Sequence, residues 1–98
     1  MGALRSRSLP VLVVDDEPLV RAKLVDIAGV FAEVHAAGSL SEVKRGFAKC
    51  RWSCAVIDIG LPDGTGWDVL GVLRDVQPDV NALVLTGGQE PRLRLVLS

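Results

Sequence analysis

The chain has 98 residues, of which 49% are hydrophobic and 23% charged, with a formal net charge of −1. That size argues for one domain, and that composition for a globular fold over a disordered one. A near-neutral balance gives no electrostatic footprint for nucleic acid, and no apolar run approaches the roughly 20 residues of a membrane span.

The opening "MGALRSRSLP" has two arginines but no apolar signal core before Pro10. Residues 1–9 therefore read as a flexible lead-in to one domain over 10–98, and a cytoplasmic location is expected. "VLVV" (11–14) is a short, β-branched, wholly apolar run, which suits a strand buried on both faces. "DDEP" ends it, and Pro18 fits the first turn of a helix over 18–30, whose apolar stripe is Val20, Leu24, Ile27 and Phe31. "AEVHA" (32–36) reads as a weak second strand. "SLSE" (39–42) is a capping box that opens a second helix with Leu40, Val43 and Phe47 on its stripe.

"CAVIDI" (54–59) is a third apolar strand. A loop containing Gly60, Gly64 and Gly66 follows, where the backbone can turn tightly and approach a ligand. Val69, Leu70, Leu73 and Val76 mark a third helix that stops before Pro78, and "ALVLT" (82–86) is a fourth strand. The tail "EPRLRLVLS" fits both a helix face and a strand alternation, and the helix is preferred. Cys50 and Cys54 lack companion ligands for zinc, and Cys54 reads as a small core residue. His35, Trp52 and Trp67 read as structural, and Asp63 and Asp68 as capping or solvated residues.

Strands that alternate with helices and lack polar alternation specify an α/β fold with a parallel sheet covered on both faces. In such a sheet the strand C-termini share one edge, where ligands bind at a topological switch point. Asp15 and Asp16 end the first strand, Asp58 the third and Thr86 the fourth. Clustered carboxylates resist ionisation without a partner, and a hard divalent cation such as Mg²⁺ resolves the repulsion. Asp58 could then act as a nucleophile toward a phosphoryl group, with the metal and the Thr86 hydroxyl stabilising the transferring oxygens. The plainer alternatives are that the Asp-Asp pair only caps a helix and Thr86 only makes a turn.

In that order, "VLVVDDEP", "VIDIGLPDGTGWDVL" and "LVLTG" resemble the receiver domain of two-component response regulators, over about Leu9 to Thr86. The resemblance implies a flavodoxin-like, doubly wound sheet of order 2-1-3-4-5. It implies that Asp58 is the phosphoacceptor for a histidine kinase or phosphotransfer protein, and that Asp15 and Asp16 are the acidic pair, Asp16 being the direct Mg²⁺ ligand. It further implies a metal contact from the Gly60 backbone carbonyl and a phosphoryl contact from Thr86. The family also carries a fifth strand ending in a lysine and a fifth helix. This chain stops at Ser98 and has no lysine after Lys49. The expected sheet is therefore 2-1-3-4, with an exposed fourth-strand edge open to self-association or rebuilt by "RLRLVLS" folding back antiparallel to "ALVLT". No nucleic acid or membrane partner is expected. The rival readings are a degenerate receiver serving as a phosphorylation-independent binding or dimerisation module, and a turnover phosphotransferase or phosphatase of similar fold.

Overall fold

A computed structural model describes residues 9–86 and the backbone of residues 92–96. Apart from Leu9, the expected lead-in lies outside the described residues. The elements in chain order are β1 (Val11–Val14), α1 (Pro18–Gly29), β2 (Val34–Ala37), α2 (Leu40–Gly46), β3 (Cys54–Asp58), β4 (Gly60–Leu61), β5 (Gly64–Thr65), α3 (Gly66–Val76), β6 (Ala82–Thr86) and β7 (Arg92–Val96).

Five strands form one sheet in the order β2-β1-β3-β6-β7, and β4 and β5 form a separate antiparallel ribbon. β2, β1, β3 and β6 are all parallel, which is the doubly wound order expected for the first four long strands. The chain steps from β1 to β2 on one side and then to β3 on the other. With right-handed crossovers, α1 lies on one face of the sheet and α2 and α3 on the other. Leu12, Val14, Ala55, Ile57 and Ala82 point to the second face and pack with Leu40, Val43, Val69, Leu70 and Leu73.

Local chemistry sets the helix ends. Glu17 caps α1 and Pro18 opens it. Ser39 caps α2 by accepting from the Glu42 amide at 3.1 Å, while the Glu42 carboxylate reaches the amide of Gly38, one residue ahead of the cap. Thr65 and Asp68 make a reciprocal capping box at α3. At the far end of α3, the buried Gln77 side chain accepts from the Trp52 amide (2.7 Å) and donates to the Trp52 carbonyl (2.8 Å), so it stands in for a strand partner there. His35 is structural: its Nε2 lies 2.6 Å from Glu33, and its ring packs against Phe47 and Trp52. Both cysteines are free thiols.

Two expectations are corrected. The preferred tail helix is a strand over Arg92–Val96, antiparallel to β6 with Thr86 opposite Arg92 and Ala82 opposite Val96. β6 is consequently interior and offers no free edge for self-association, since the tail folds back antiparallel as the alternative expectation had it; the edges of the sheet are β2 and β7. The reason is non-local, since pairing with β6 satisfies backbone groups that a helix in the tail would leave bare.

The stripe of α1 is also rotated from the expected one. Val20, Ile27 and Phe31 are 44%, 60% and 86% exposed. The half-buried residues are Arg21, Leu24, Val25 and Ala28, at the i, i+3, i+4, i+7 spacing of one helix face. Arg21, on that face, donates from Nη1 to the Asp15 carbonyl at 2.9 Å. On the α1 side of the sheet Cys54, Val56, Leu83 and Leu85 are only half-buried, whereas their neighbours Ala55, Ile57, Ala82 and Val84 are buried. One face therefore carries most of the core.

This asymmetry sets an expected outcome in urea unfolding. Ile57→Ala should cost about 2–5 kcal/mol. Ile27→Ala, on the exposed flank of α1, should cost less than about 0.5 kcal/mol.

Candidate functional site

β1 and β3 are neighbours, so the segments leaving their C-terminal ends meet at the switch point of the sheet. Asp15 and Asp16 follow β1 directly and Asp58 is the last residue of β3. One oxygen from each of the three carboxylates lies within 4.8 Å of the others. Asp15 is buried, Asp58 half-buried and Asp16 exposed. Thr86 ends β6 one residue beyond Leu85, the register partner of Asp58. It therefore sits at the same edge of the sheet.

Backbone amides orient the acids. The Glu17 amide donates to Asp15 Oδ1 at 2.9 Å, and the Gly60 amide donates to Asp58 Oδ1 at 3.4 Å. These bonds do not offset the environment. Burial pushes the Asp15 carboxyl above its usual range, and the Asp16 charge adds to the rise; the Glu17 amide and Arg21 oppose it. Burial likewise raises Asp58, with the Asp15 and Asp16 charges adding to it. The cluster is thus short of positive charge. Three oxygen donors at this spacing, two of them partly desolvated and one exposed, fit a hard divalent cation that keeps part of its water shell.

The glycines of the following loop have distinct roles. A Cβ on Gly66 would stand 2.7 Å from the Asp58 carbonyl oxygen, and one on Gly64 would stand 2.7 Å from Leu40 Cδ2. Both are positions of close approach, but to the protein's own backbone and side chains. Gly60 has no such constraint, because a Cβ there meets nothing within 4 Å.

Two residues near the site carry more than the sequence suggested. Arg21 is the cation nearest in role to the cluster, through the Asp15 carbonyl; its only signal was its place in the first turns of α1, on the helix that leaves the acidic pair. Asp63 was read as capping or solvated. It accepts from the amides of Leu40 (2.9 Å) and Ser41 (2.8 Å), and so caps a helix from the opposite loop.

Comparison with known proteins identifies the family. The model for the response regulator receiver domain matches residues 11–96. The chain belongs to the receiver domain family of two-component signalling. This receiver domain is 44% identical over 90 residues to the photosynthetic apparatus regulatory protein RegA of Cereibacter sphaeroides, covering 89% of this chain and 46% of RegA. It is 39% identical over 79 residues to the DNA-binding transcriptional activator DevR/DosR of Mycobacterium tuberculosis, covering 78% of this chain and 36% of that protein. The chain thus spans less than half the length of these relatives. Among solved structures it is similar to response regulator TrrA of Thermotoga maritima, crystallised in complex with Mg(2+)-BeF. The TM-score is 0.71 at 28% identity, covering 83% of this chain and 71% of that one. No described helix is long and apolar enough to cross a membrane.

The raised acids carry a sign that can be checked. A carboxyl whose folded value lies above its unfolded value contributes stability below the unfolded value, and that contribution is lost as pH rises through the folded value. Near pH 7 the cation-free receiver domain therefore bears the repulsion of its own cluster. Asp58→Asn should raise the urea midpoint at about pH 7, and the gain should vanish at about pH 3, where the carboxyls are protonated in both states. Saturating Mg²⁺ should narrow the gap at neutral pH by stabilising the unsubstituted protein.

Proposed function

We propose that this receiver domain accepts a phosphoryl group on Asp58 from a sensor histidine kinase or phosphotransfer protein, with Mg²⁺ as cofactor. The single observation that carries the reading is the convergence of Asp15, Asp16 and Asp58, each with one oxygen within 4.8 Å of the others. Gathering three carboxylates, two of them partly desolvated, costs a domain stability that phosphate chemistry with a cation would use. The Mg²⁺ and BeF held by the relative TrrA support the choice of cation.

Asp15, Asp16 and Asp58 would hold the metal, with Asp16 as the direct ligand of the acidic pair and the Gly60 backbone carbonyl as a further one. When bound, Mg²⁺ supplies positive charge that offsets both the carboxylates and the phosphoryl oxygens. The remaining work falls to the chain. An ionised Asp58 oxygen attacks phosphorus; a P–O bond forms as the P–N bond to the donor imidazole breaks, and that nitrogen keeps the electron pair and is then protonated. The Thr86 hydroxyl donates to a phosphoryl oxygen. The Glu17 and Gly60 amides hold Asp15 and Asp58 in place. The added charge alters contacts with a partner, and this is the output. The chain is a self-phosphorylating substrate of the cytoplasm, not a turnover enzyme.

A second reading has one observation in its favour: β7 pairs antiparallel to β6. A degenerate receiver acting as a binding module would tolerate that altered edge.

Incubation with acetyl phosphate and Mg²⁺ followed by intact mass separates the readings. We expect a gain of one phosphoryl group that is lost in Asp58→Asn and without Mg²⁺. No gain in a folded protein would favour the binding module, and steady release of phosphate over many turnovers would favour a phosphatase.

A further inference from the structure

The ribbon of β4 and β5 is the segment that carries Gly60. It leaves Asp58, runs out through Gly60 and Leu61, turns at Pro62 and Asp63, and returns through Gly64 and Thr65 to α3. Its four strand residues pair only as Gly60 with Thr65 and Leu61 with Gly64. A two-stranded ribbon this short is not stable alone. It must be held from outside at both ends.

At its base, the Gly66 amide donates to the Ile59 carbonyl at 2.8 Å, and Gly66 lies so close to the Asp58 carbonyl that a Cβ would stand 2.7 Å from it. At its tip, the tie is Asp63. Oδ1 accepts from the Leu40 amide at 2.9 Å and Oδ2 from the Ser41 amide at 2.8 Å, a connection across 22 to 23 residues of chain. These are the two amides of the first turn of α2 that Ser39 leaves unsatisfied, since Ser39 takes the Glu42 amide. Gly64 packs against the Leu40 side chain at the same contact, where a Cβ would stand 2.7 Å from Leu40 Cδ2. Hydrogen bonds to a charged acceptor are the stronger kind, and two on one carboxylate fix direction as well as distance.

We propose that Asp63 is a positioning residue for the cation site, holding the ribbon against α2 so that Gly60 is fixed beside Asp58. The proposal rests on the function proposed above, in which the Gly60 carbonyl is a metal contact. Asp63 touches neither the metal nor the phosphoryl group. It acts by restricting the tip of the ribbon, three residues from Gly60, so that no ordering of the loop is left to be done when the cation binds.

The test compares two substitutions at the same end of α2. Asp63→Ala cuts the tie to the ribbon, while Ser39→Ala removes the helix's own cap and leaves the tie in place. Calorimetric Mg²⁺ titration of the unphosphorylated protein, amide exchange at Leu40 and Ser41, and the amide line width of Gly60 are the readouts. For Asp63→Ala we expect loss of protection at Leu40 and Ser41, a broadened Gly60 amide, and Mg²⁺ binding weakened by about 10-fold, the size seen for groups that orient metal ligands. Ser39→Ala should lower the urea midpoint with Mg²⁺ affinity changed less than about twofold. Asp63→Asn keeps one acceptor oxygen and should fall between, and it replaces the alanine variant if that variant does not fold. Unchanged Mg²⁺ affinity and an unchanged Gly60 amide in Asp63→Ala would overturn the proposal, as would equal weakening by Asp63→Ala and Ser39→Ala. If the unsubstituted protein binds no Mg²⁺, the proposed function fails, and the Gly60 amide alone then decides whether Asp63 positions the loop.

Discussion

The repulsion among Asp15, Asp16 and Asp58 is the constraint on which the site depends. A parallel sheet brings its strand ends to one edge whatever the residues there, and β1 and β3 are neighbours at the switch point. The fold therefore imposes the proximity, and hydrophobic burial of the strands holds it against the electrostatic cost. Asp15 and Asp58 show that cost in carboxyls pushed above their usual range, chiefly by burial. The Glu17 amide, the Gly60 amide and Arg21 offset part of it. On the proposed function, the balance left over is what would give a divalent cation its affinity, and stability given up by the cation-free fold would return as binding.

The loops around the cluster are built to keep it in place. Arg21 braces the β1–α1 turn through the Asp15 carbonyl. Gly66 allows the start of α3 to pass directly under the Asp58 carbonyl, and Asp63 ties the ribbon tip to α2. Each contact joins an acid-bearing segment to an element on one face of the sheet. The site is thus tied to elements on both faces of the sheet, as the proposed output through a new charge would require.

The long parallel strands and the acids at their ends were legible in the sequence, because buried parallel strands are continuous apolar runs and a carboxylate at the end of one stands out. β6 was readable to the residue, Ala82–Thr86. The rotation of α1 was not legible. Leu19, Val20, Ile27, Val30 and Phe31 join Leu24, Val25 and Ala28 in spreading apolar residues around the helix, so spacing alone fixes no face, and the face turned inward is the one that also carries the Arg21 bond to the Asp15 carbonyl. The tail was undecidable for a related reason: "RLRLVL" satisfies both periods, and its state depends on β6, several residues upstream. The double bond from Asp63 to Leu40 and Ser41 links residues 22 to 23 apart, and nothing local marks it. What local pattern could not give was long-range polar pairing.

On the proposed function Asp58, alone among the three acids, takes the phosphoryl group. The most direct measurement is borohydride trapping of the protein after acetyl phosphate and Mg²⁺, followed by peptide mass spectrometry, since an acyl phosphate is reduced where it stands. The account predicts one modified residue, Asp58, dependent on Mg²⁺. Modification at Asp15 or Asp16, or none in a folded protein, would contradict it.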